Sequence, residues 1–354
     1  MIVIDGSYGE GGGQILRTSI ALSSIFREPI RIINIRKNRK PPGLKMQHLH
    51  AIIMLSKITR AYINEIKVGS MEVEFRPNGI YGGKYKEDIG TAGSITLLLQ
   101  AVLLPSLFAD SKVRLLIRGG TDVEHSPSLD YFQYVLLPYY RILADISIKV
   151  VRRGFYPKGG GEVEVNVIPK FSVSQYKDIG DFIRDVGSIG SLDISFEEID
   201  EVNIYSVASM DLKSRNVCER MIKGALAVFS KLTDIKIKKK IEYVNTLSTG
   251  AVITIVANKK YPFGVDLLGR RGLRAEIVGK IAAENFLEIL KRRASVDKNL
   301  ADNLIPILSL VKGSFITPEI TGHLDTNIWV VKKFLNSLSV KIEKIDDCYR
   351  IYIR

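Results

Sequence analysis

The chain has 354 residues, 46% of them hydrophobic, which is enough for more than one domain core. No segment approaches the ~20 uncharged apolar residues of a membrane span, and no basic segment followed by an apolar one resembles a signal peptide, so we expect a cytoplasmic protein. Two widely separated cysteines, Cys218 and Cys348, indicate a reducing compartment. The net charge of +13 predicts an anionic partner such as nucleic acid.

Two consecutive segments repeat one order of predicted elements. The first, "GEGGGQILRTSIALSSIFREPIRIINIRKN" from Gly9, contains a small-residue turn, an apolar helix, a polar break and a β-branched strand. The same order recurs in "GTAGSITLLLQAVLLPSLFADSKVRLLIRGGT" from Gly90. Helical spacing and then strand alternation in the residues that follow each segment predict a second helix and a β-hairpin. Each copy is therefore one αβ unit of a repeat protein.

A third, more divergent copy begins near residue 297 with "LADNLIPILSLVKGSFITPEIT" and ends the chain. The residues before it depart from the repeat and predict a compact αβ insert, with a helix from about Lys213 to Leu232, two strands, and a helix from about Leu273 to Lys291. We predict an α+β fold of αβ repeats. The predicted domains are a large three-repeat domain, residues 1–182 and 295–354, and a smaller inserted αβ domain, residues 183–294.

The first glycine-rich turn precedes a helix and so offers backbone N–H groups and a partial positive charge to an anion. It lacks the lysine of a P-loop, but Arg17, Arg36 and Arg39 can supply forked donors for phosphate oxygens. An acidic residue among them, Glu10, is costly unless it binds a divalent metal, so we interpret it as a metal ligand for a nucleoside triphosphate. Glycine turns that serve only backbone conformation or packing remain the alternative for any single loop.

Polar residues near the later glycine turns extend this pattern. The second copy contributes Gln100 and "RGGTDVEHSP", and a further glycine patch, "RRGFYPKGGGEV", carries Arg153 and Lys158. His323, in "EITGHLDTNIWVV", stands at the entrance to the third copy's second helix. A neutral imidazole there is competent as a nucleophile or a base, although the residues alone leave a structural role equally open.

Six of these motifs together resemble the RNA 3′-terminal phosphate cyclase family, in its catalytic, archaeal-like branch. They are "DGSYGEGGGQILR", "IRKNRKPPGLKMQH", "IGTAGS", "RGGTDVEHSPSLDY", "RGFYPKGGGEV" and "GHLDTN", which occur in order from residue 5 onward. The resemblance implies three βαβαββ-like units similar to the C-terminal domain of translation initiation factor 3. It also implies a smaller αβ domain inserted before the third unit.

The resemblance further implies ATP-dependent conversion of an RNA 3′-phosphate end to a 2′,3′-cyclic phosphate, with Mg or Mn. His323 matches the nucleophile that becomes histidine-AMP, and Glu10 matches the metal ligand. Pro127 matches a residue that packs on adenine. The residues that match the ATP-phosphate or RNA-end pocket are Arg17, Arg36, Arg39, Gln47, Gln100, Asp302 and Asn303.

One departure from the family pattern concerns the adenine site. Asn299 stands where family members can carry an aromatic residue that stacks on adenine, and Asn303 replaces a common glutamine. Two other protein classes compete with this interpretation: a non-catalytic, cyclase-like RNA-binding ribosome-biogenesis factor, and an enolpyruvyl-transferase-like enzyme. The first is expected to lack the histidine and the second lacks these motifs, so we favour a cyclase.

Overall fold

The structure is a computed structural model that describes residues 1–230 and 234–354. The predicted end of one helix, at Leu232, lies outside these residues. The first unit comprises β1 (Ile2–Asp5), α1 (Gly13–Phe26), β2 (Ile30–Ile33), α2 (Met46–Thr59), β3 (Tyr62–Ile63) and β4 (Val73–Arg76). The second comprises β5 (Gly83–Asp88), α3 (Ile95–Ser106), β6 (Val113–Gly119), α4 (Leu129–Tyr131), a π-helical turn (Phe132–Leu136), α5 (Leu137–Tyr140), β7 (Ala144–Arg152) and β8 (Gly161–Pro169).

The remaining elements follow a short connection. They begin with α6 (Ile179–Gly187) and β9 (Leu192–Asp193). The insert follows, with β10 (Glu201–Ser209), α7 (Val217–Phe229), β11 (Lys236–Val244), β12 (Ala251–Ala257), β13 (Gly264–Leu268) and α8 (Ala275–Lys291). The chain ends with α9 (Lys298–Val311), β14 (Gly313–Thr317), α10 (Gly322–Phe334), β15 (Val340–Ile345) and β16 (Cys348–Ile353). In the described part of the chain, every helix is too short or too polar to cross a bilayer.

The repeat units share one sheet topology. The strand orders are β1-β2-β4-β3, β5-β6-β8-β7 and β9-β14-β16-β15, with a parallel first pair and antiparallel pairs after it. Strand alternation explains the register: Ile30 pairs with Ile2 on one side and with Phe75 on the other, and both Ile30 and Phe75 are fully buried. The predicted α+β class, with αβ repeats, is confirmed.

We propose that the third unit is interrupted by the insert. Its first strand is β9, which pairs in parallel with the start of β14, so that Leu192 lies opposite Gly313. The sequence prediction placed the insert before the whole unit and missed this two-residue strand. Since α6 also contacts α9, we propose that the inserted domain begins after β9 rather than at residue 183.

The insert packs closely on the second unit. The rings of Tyr134 and Tyr205 stack with centroids 4.2 Å apart, and the hydroxyl of Tyr139 donates to the carbonyl of Pro262 at 2.8 Å. Phe155 forms a small apolar cluster with residues of β10 and β12. The N–H of Ser128, in the loop that leads into α4, donates to Asp266 of β13.

A buried carboxylate, Asp297, joins three parts of the chain. It caps α9 by accepting from the N–H groups of Asn299 and Leu300, both at 3.0 Å. It also accepts from the hydroxyl of Tyr131 in the second unit at 2.7 Å and from the N–H of Gly264 in the insert at 3.2 Å. Hydrogen bonds to a buried charged group are among the stronger polar contributions to stability.

We therefore expect Asp297→Ala to lower the free energy of unfolding by about 3 to 5 kcal/mol, because it leaves several buried donors without an acceptor. The matched control is Asp178→Ala, which removes an exposed cap that accepts from Gly180 and Asp181 and should cost about 1 kcal/mol. Urea unfolding followed by circular dichroism measures both. Equal losses would mean that the Asp297 junction is no more important than an ordinary helix cap.

Candidate functional site

A cavity of about 380 Å³ lies where the first helices of the three units, α1, α3 and α9, converge with α10. All three units therefore supply side chains to it. Its polar lining includes Gln14, Arg17, Thr18, Gln100, His125, Ser126, Asp266, Asn299, Asp302, Asn303, His323 and Asn327, and its apolar lining includes Leu97, Leu104, Pro127, Tyr131, Tyr140 and Pro306.

Glu10, Arg39 and His323 form a cluster at one end of this cavity. Oε2 of Glu10 lies 3.2 Å from Nη2 of Arg39 and 3.4 Å from Nδ1 of His323. The other carboxylate oxygen rests against Gly322, where a Cβ would come within 2.5 Å of it. The helix α10 begins at this glycine, so its first turn carries the histidine to the carboxylate that the first glycine loop supplies.

The surroundings of His323 favour a neutral imidazole. Burial lowers its pKa, and the charges of Arg17 and Arg39 act in the same direction, while Glu10 opposes them. A neutral ring whose Nδ1 carries the proton, on the side of Glu10, has its lone pair on Nε2. The side chain of Gln14 donates to the backbone carbonyl of His323 at 3.2 Å, which fixes this turn against α1.

Arg17 is a cation that lacks an anionic partner. Its half-buried guanidinium lines the cavity, and within the described residues it makes no hydrogen bond or ion pair. Burial lowers its pKa to about 10, so it stays charged at neutral pH. The start of α1 lies beside it, and no described side chain caps that helix. A guanidinium and free helix N–H groups together suit an anionic ligand.

A hydrogen-bonded network supports the floor of the cavity. Thr321 donates to Oδ1 of Asp302 and accepts from the N–H of Leu324 at 2.9 Å, which caps α10. Asn327 donates to the carbonyl of Asp302 at 2.6 Å and accepts from Thr18 at 2.8 Å. Burial raises the pKa of Asp302 to about 7. This carboxyl group can therefore exchange a proton near neutral pH.

Two predicted phosphate ligands brace loops beside the cavity instead of lining it. Nη1 of Arg36 donates to the carbonyls of Pro41 and Gly43 at 3.0 and 2.8 Å. Oε1 of Gln47 accepts from the N–H of Ser94, at the start of α3, at 3.2 Å. Their assignment to the phosphate or RNA-end site stays a prediction.

His48 has a structural position beneath the glycine loop. A Cβ on Gly13 would come within 2.0 Å of its Nε2, so only glycine fits there. Its Nδ1 accepts from the N–H of Lys45 at 3.1 Å, and burial lowers its pKa to about 3. The imidazole is therefore neutral and supports the start of α1.

Other sequence candidates separate into two groups. Gln100, Pro127 and Asn303 line the cavity, as does Asn299. Arg153 of the third glycine patch is instead buried, where it donates to Asp130 at 2.6 Å and pairs with Asp122. That glycine patch is thus tied to the packing of the second unit.

Sequence reasoning missed Asp266 of the insert and the polar contacts of Thr18. Asp266 lies in β13, and Ser128 N–H donates to its Oδ2 at 2.5 Å. The only available signal was a single acidic residue in the apolar strand "FGVDLLG". Such residues are uncommon in strand interiors and are worth examining for function.

The residues of this site suit a metal ion only if a bound substrate supplies some of its ligands. Among the described residues, three or more His, Cys, Asp or Glu side chains nowhere gather with the geometry of a metal site. Mg²⁺ is commonly held by one or two carboxylates with substrate phosphates and water completing its shell. Glu10, partly exposed at the mouth of the cavity, suits that arrangement.

The repeat fold and this cavity define a class: an αβ-repeat protein whose units converge on a polar cavity lined by an arginine and a histidine. The sequence model of the RNA 3′-terminal phosphate cyclase family matches residues 8–342. The chain belongs to the RNA 3′-terminal phosphate cyclase family, and its predicted enzyme class is confirmed. It is 45% identical to the RNA 3′-terminal phosphate cyclase of Pyrococcus abyssi, over 96% of this chain and 94% of the relative. It is 40% identical to that of Archaeoglobus fulgidus, over 97% and 98%.

The raised pKa of Asp302 makes a prediction about stability and pH. An aspartate of the unfolded chain ionises near 3.8, whereas the folded carboxyl ionises near 7. The folded state therefore binds more protons between these values and loses stability as pH rises through them. Asp302→Asn keeps the Thr321 contact without a buried charge. The free energy of unfolding of the variant should exceed that of the wild type by about 2 to 4 kcal/mol at pH 8. The difference should be smaller at pH 5, where the wild-type carboxyl group is largely protonated.

Thermal and urea unfolding at both pH values measure the effect. Asp325→Asn, on the exposed side of the same region, is the matched control. A difference between Asp302→Asn and wild type that does not change with pH would contradict the raised pKa.

Proposed function

We propose that this protein uses ATP to convert an RNA 3′-phosphate end to a 2′,3′-cyclic phosphate through a covalent histidine-AMP intermediate. The observation that carries the proposal is the position of His323: its Nδ1 faces Glu10 and its Nε2 is free beside the unpartnered Arg17. Family membership supports the overall reaction. The geometry supports the histidine as the group that accepts AMP.

In the first step, Nε2 of His323 attacks the α-phosphorus of ATP. A nitrogen–phosphorus bond forms, the bond from the α-phosphorus to the bridging oxygen breaks, and pyrophosphate leaves with that electron pair. Glu10 accepts the Nδ1–H and stabilises the positive charge that develops on the ring. Arg17 and the α1 N–H groups stabilise negative charge on the phosphates, because a preorganised site needs little rearrangement during the reaction.

In the second step, an oxygen of the RNA 3′-phosphate attacks the same phosphorus and releases the histidine. The product is an RNA(3′)pp(5′)A intermediate. In the third step, the vicinal 2′-oxygen loses its proton to water, attacks the RNA phosphorus and displaces AMP. The ring closes without further ATP, since the activated phosphate already carries a good leaving group. Positioning and charge neutralisation supply most of the catalysis.

Glu10 would hold a divalent ion together with the ATP phosphates. The ion, Mg or Mn, would supply charge neutralisation at the α-phosphorus and at the departing pyrophosphate. Arg39 contacts the same carboxylate oxygen, so the Glu10 side chain is already oriented towards the histidine. This orientation supports the role predicted from the sequence.

The net charge of the chain supports RNA as the partner. A charge of +13 favours a polyanion over a small neutral substrate, through contacts to phosphates and release of counterions. Arg39 and Lys40 lie exposed on the loop next to the histidine. Their exposure supports a role in contacting the RNA end that approaches the histidine.

We expect His323→Ala to abolish covalent labelling by α-labelled ATP, because no other imidazole nitrogen is free beside Glu10 in the described structure. The protein is incubated with ATP and Mg or Mn, denatured, and assayed for an acid-labile, alkali-stable adduct. His50→Gln is the matched control: His50 bonds to Glu87 at 2.6 Å and does not line the cavity. An adduct of full yield on His323→Ala would remove this residue from the mechanism.

We also expect Glu10→Gln to raise the metal concentration needed for half-maximal labelling by at least roughly 10-fold, because the amide is a weaker ligand for a hard cation. A titration with Mg and Mn at saturating ATP measures this. Glu28→Gln, an exposed change at the far end of α1, should titrate as wild type does. An unchanged titration for Glu10→Gln would show that this carboxylate only positions Arg39 and His323.

A further inference from the structure

The inserted domain contributes one described side chain to the lining of the cavity, and it is a carboxylate. Asp266 lies on β13, at the edge of the insert sheet, and pairs with Thr254 of β12. Its Oδ2 accepts from the N–H of Ser128 at 2.5 Å. The hydroxyl of Ser128 in turn contacts that of Thr254 at 3.1 Å. These bonds fix the carboxylate on the loop that carries Pro127.

Asp266 lies against the loop that carries Pro127 and Ser128, whereas His323 lies against Glu10 of the first glycine loop. Beside it are Pro127 and the buried ring of Tyr131, whereas Arg17 and His323 lie towards the glycine loop. A nucleotide with its phosphates at Arg17 therefore places its base among the apolar residues. A planar base packs well against these apolar residues, and polar groups beside them can form hydrogen bonds with the donors and acceptors along its edge.

The burial of the Asp266 carboxylate lowers the stability of the folded protein. Burial raises the pKa of its carboxyl to about 6, with Asp297 and Asp122 adding to that rise, while the bonds to Ser128 oppose it. A serine or threonine could accept the Ser128 N–H without the burial of a charge. A carboxylate that faces a cavity is better explained by a ligand that donates a hydrogen bond to it.

We infer that Asp266 accepts a hydrogen bond from the 6-amino group of adenine and so selects ATP over GTP. At the same position guanine carries a carbonyl oxygen, which a carboxylate repels. Oδ2 is already engaged by Ser128, so Oδ1 is the oxygen left for the base, which suits one amino group better than the paired N–H groups of guanine. The inference rests on the proposed function, because it assumes that ATP binds in this cavity.

The inference assigns the insert a part in nucleotide choice. It also offers a way for this chain to recognise adenine without the aromatic residue that Asn299 replaces. A buried polar group that a wrong nucleotide leaves without a hydrogen-bond partner discriminates strongly against that nucleotide. A smaller stacking surface instead weakens the binding of every base. Adenine selectivity can then persist although the stacking surface is smaller.

The test compares three nucleotides: α-labelled ATP, GTP and purine riboside triphosphate, which has hydrogen in place of the 6-amino group. Initial rates of protein labelling give kcat/KM for wild type, Asp266→Asn and Asp200→Asn. Asp200 is an exposed residue of the insert and serves as the matched control. Asparagine keeps an acceptor for Ser128 N–H and presents an amide that can donate to the guanine oxygen.

We expect Asp266→Asn to reduce kcat/KM for ATP by about 10- to 100-fold and to raise the GTP:ATP ratio. With purine riboside triphosphate, kcat/KM should already be low in the wild type. Asp266→Asn should then change it little, because this nucleotide has no 6-amino group to bond to Asp266. An unchanged GTP:ATP ratio would overturn the inference. So would equal losses with ATP and purine riboside triphosphate, because they would place Asp266 away from the amino group.

A binding experiment separates this inference from the covalent mechanism. Equilibrium binding of the same three nucleotides to His323→Ala, with and without Asp266→Asn, reports selectivity in the absence of adenylation. If the wild type forms no adduct but His323→Ala binds ATP more tightly than purine riboside triphosphate in an Asp266-dependent way, the histidine mechanism fails and the inference holds. Unchanged thermal unfolding of Asp266→Asn verifies that the fold is intact, and Asp266→Glu, which keeps the charge but moves it, should also lose ATP selectivity.

Discussion

The buried carboxylate of Asp297 is the contact on which the cavity depends. It lies between the insert and α9 and caps the N-terminus of α9. It also accepts hydrogen bonds from the second unit and from the insert. Tyr131, one of its donors, also lines the cavity, so the same bond that stabilises the junction positions a wall of the site. A single acceptor therefore sets the distance between α9, the second unit and β13.

Electrostatics then divide the cavity into two ends. Near the glycine loop, positive charge dominates, because Arg17 is unpartnered and the start of α1 is uncapped by any described side chain. Towards the insert lies the buried carboxyl group of Asp266, whose pKa is raised to about 6. A molecule with phosphates at one end and hydrogen-bond donors at the other matches this gradient, and a nucleotide has that form.

The sequence predicted much of this arrangement because its signals are local. Apolar spacing revealed the repeat units, and the first glycine turn with Arg17 marked one of the segments that meet at the cavity. The missed features depend on contacts between distant residues. The strand β9 has two residues, too few for alternation, and becomes visible only through its pairing with Gly313 and Ser314. Likewise Arg36 resembles a phosphate ligand in sequence, but its carbonyl contacts depend on how the following loop folds.

The pairing of β9 with β14, two strands far apart in the sequence, affects when the cavity can form during synthesis. Leu192 must wait for Gly313 to emerge from the ribosome, and the whole insert is made in between. Glu10 likewise waits for His323, which belongs to the third unit. The first two units and the insert can bury much of their apolar surface early, since domains generally fold as units during synthesis. The end of the cavity that contains Glu10 and His323 is therefore the last part to form, because it joins the first glycine loop to a helix of the third unit.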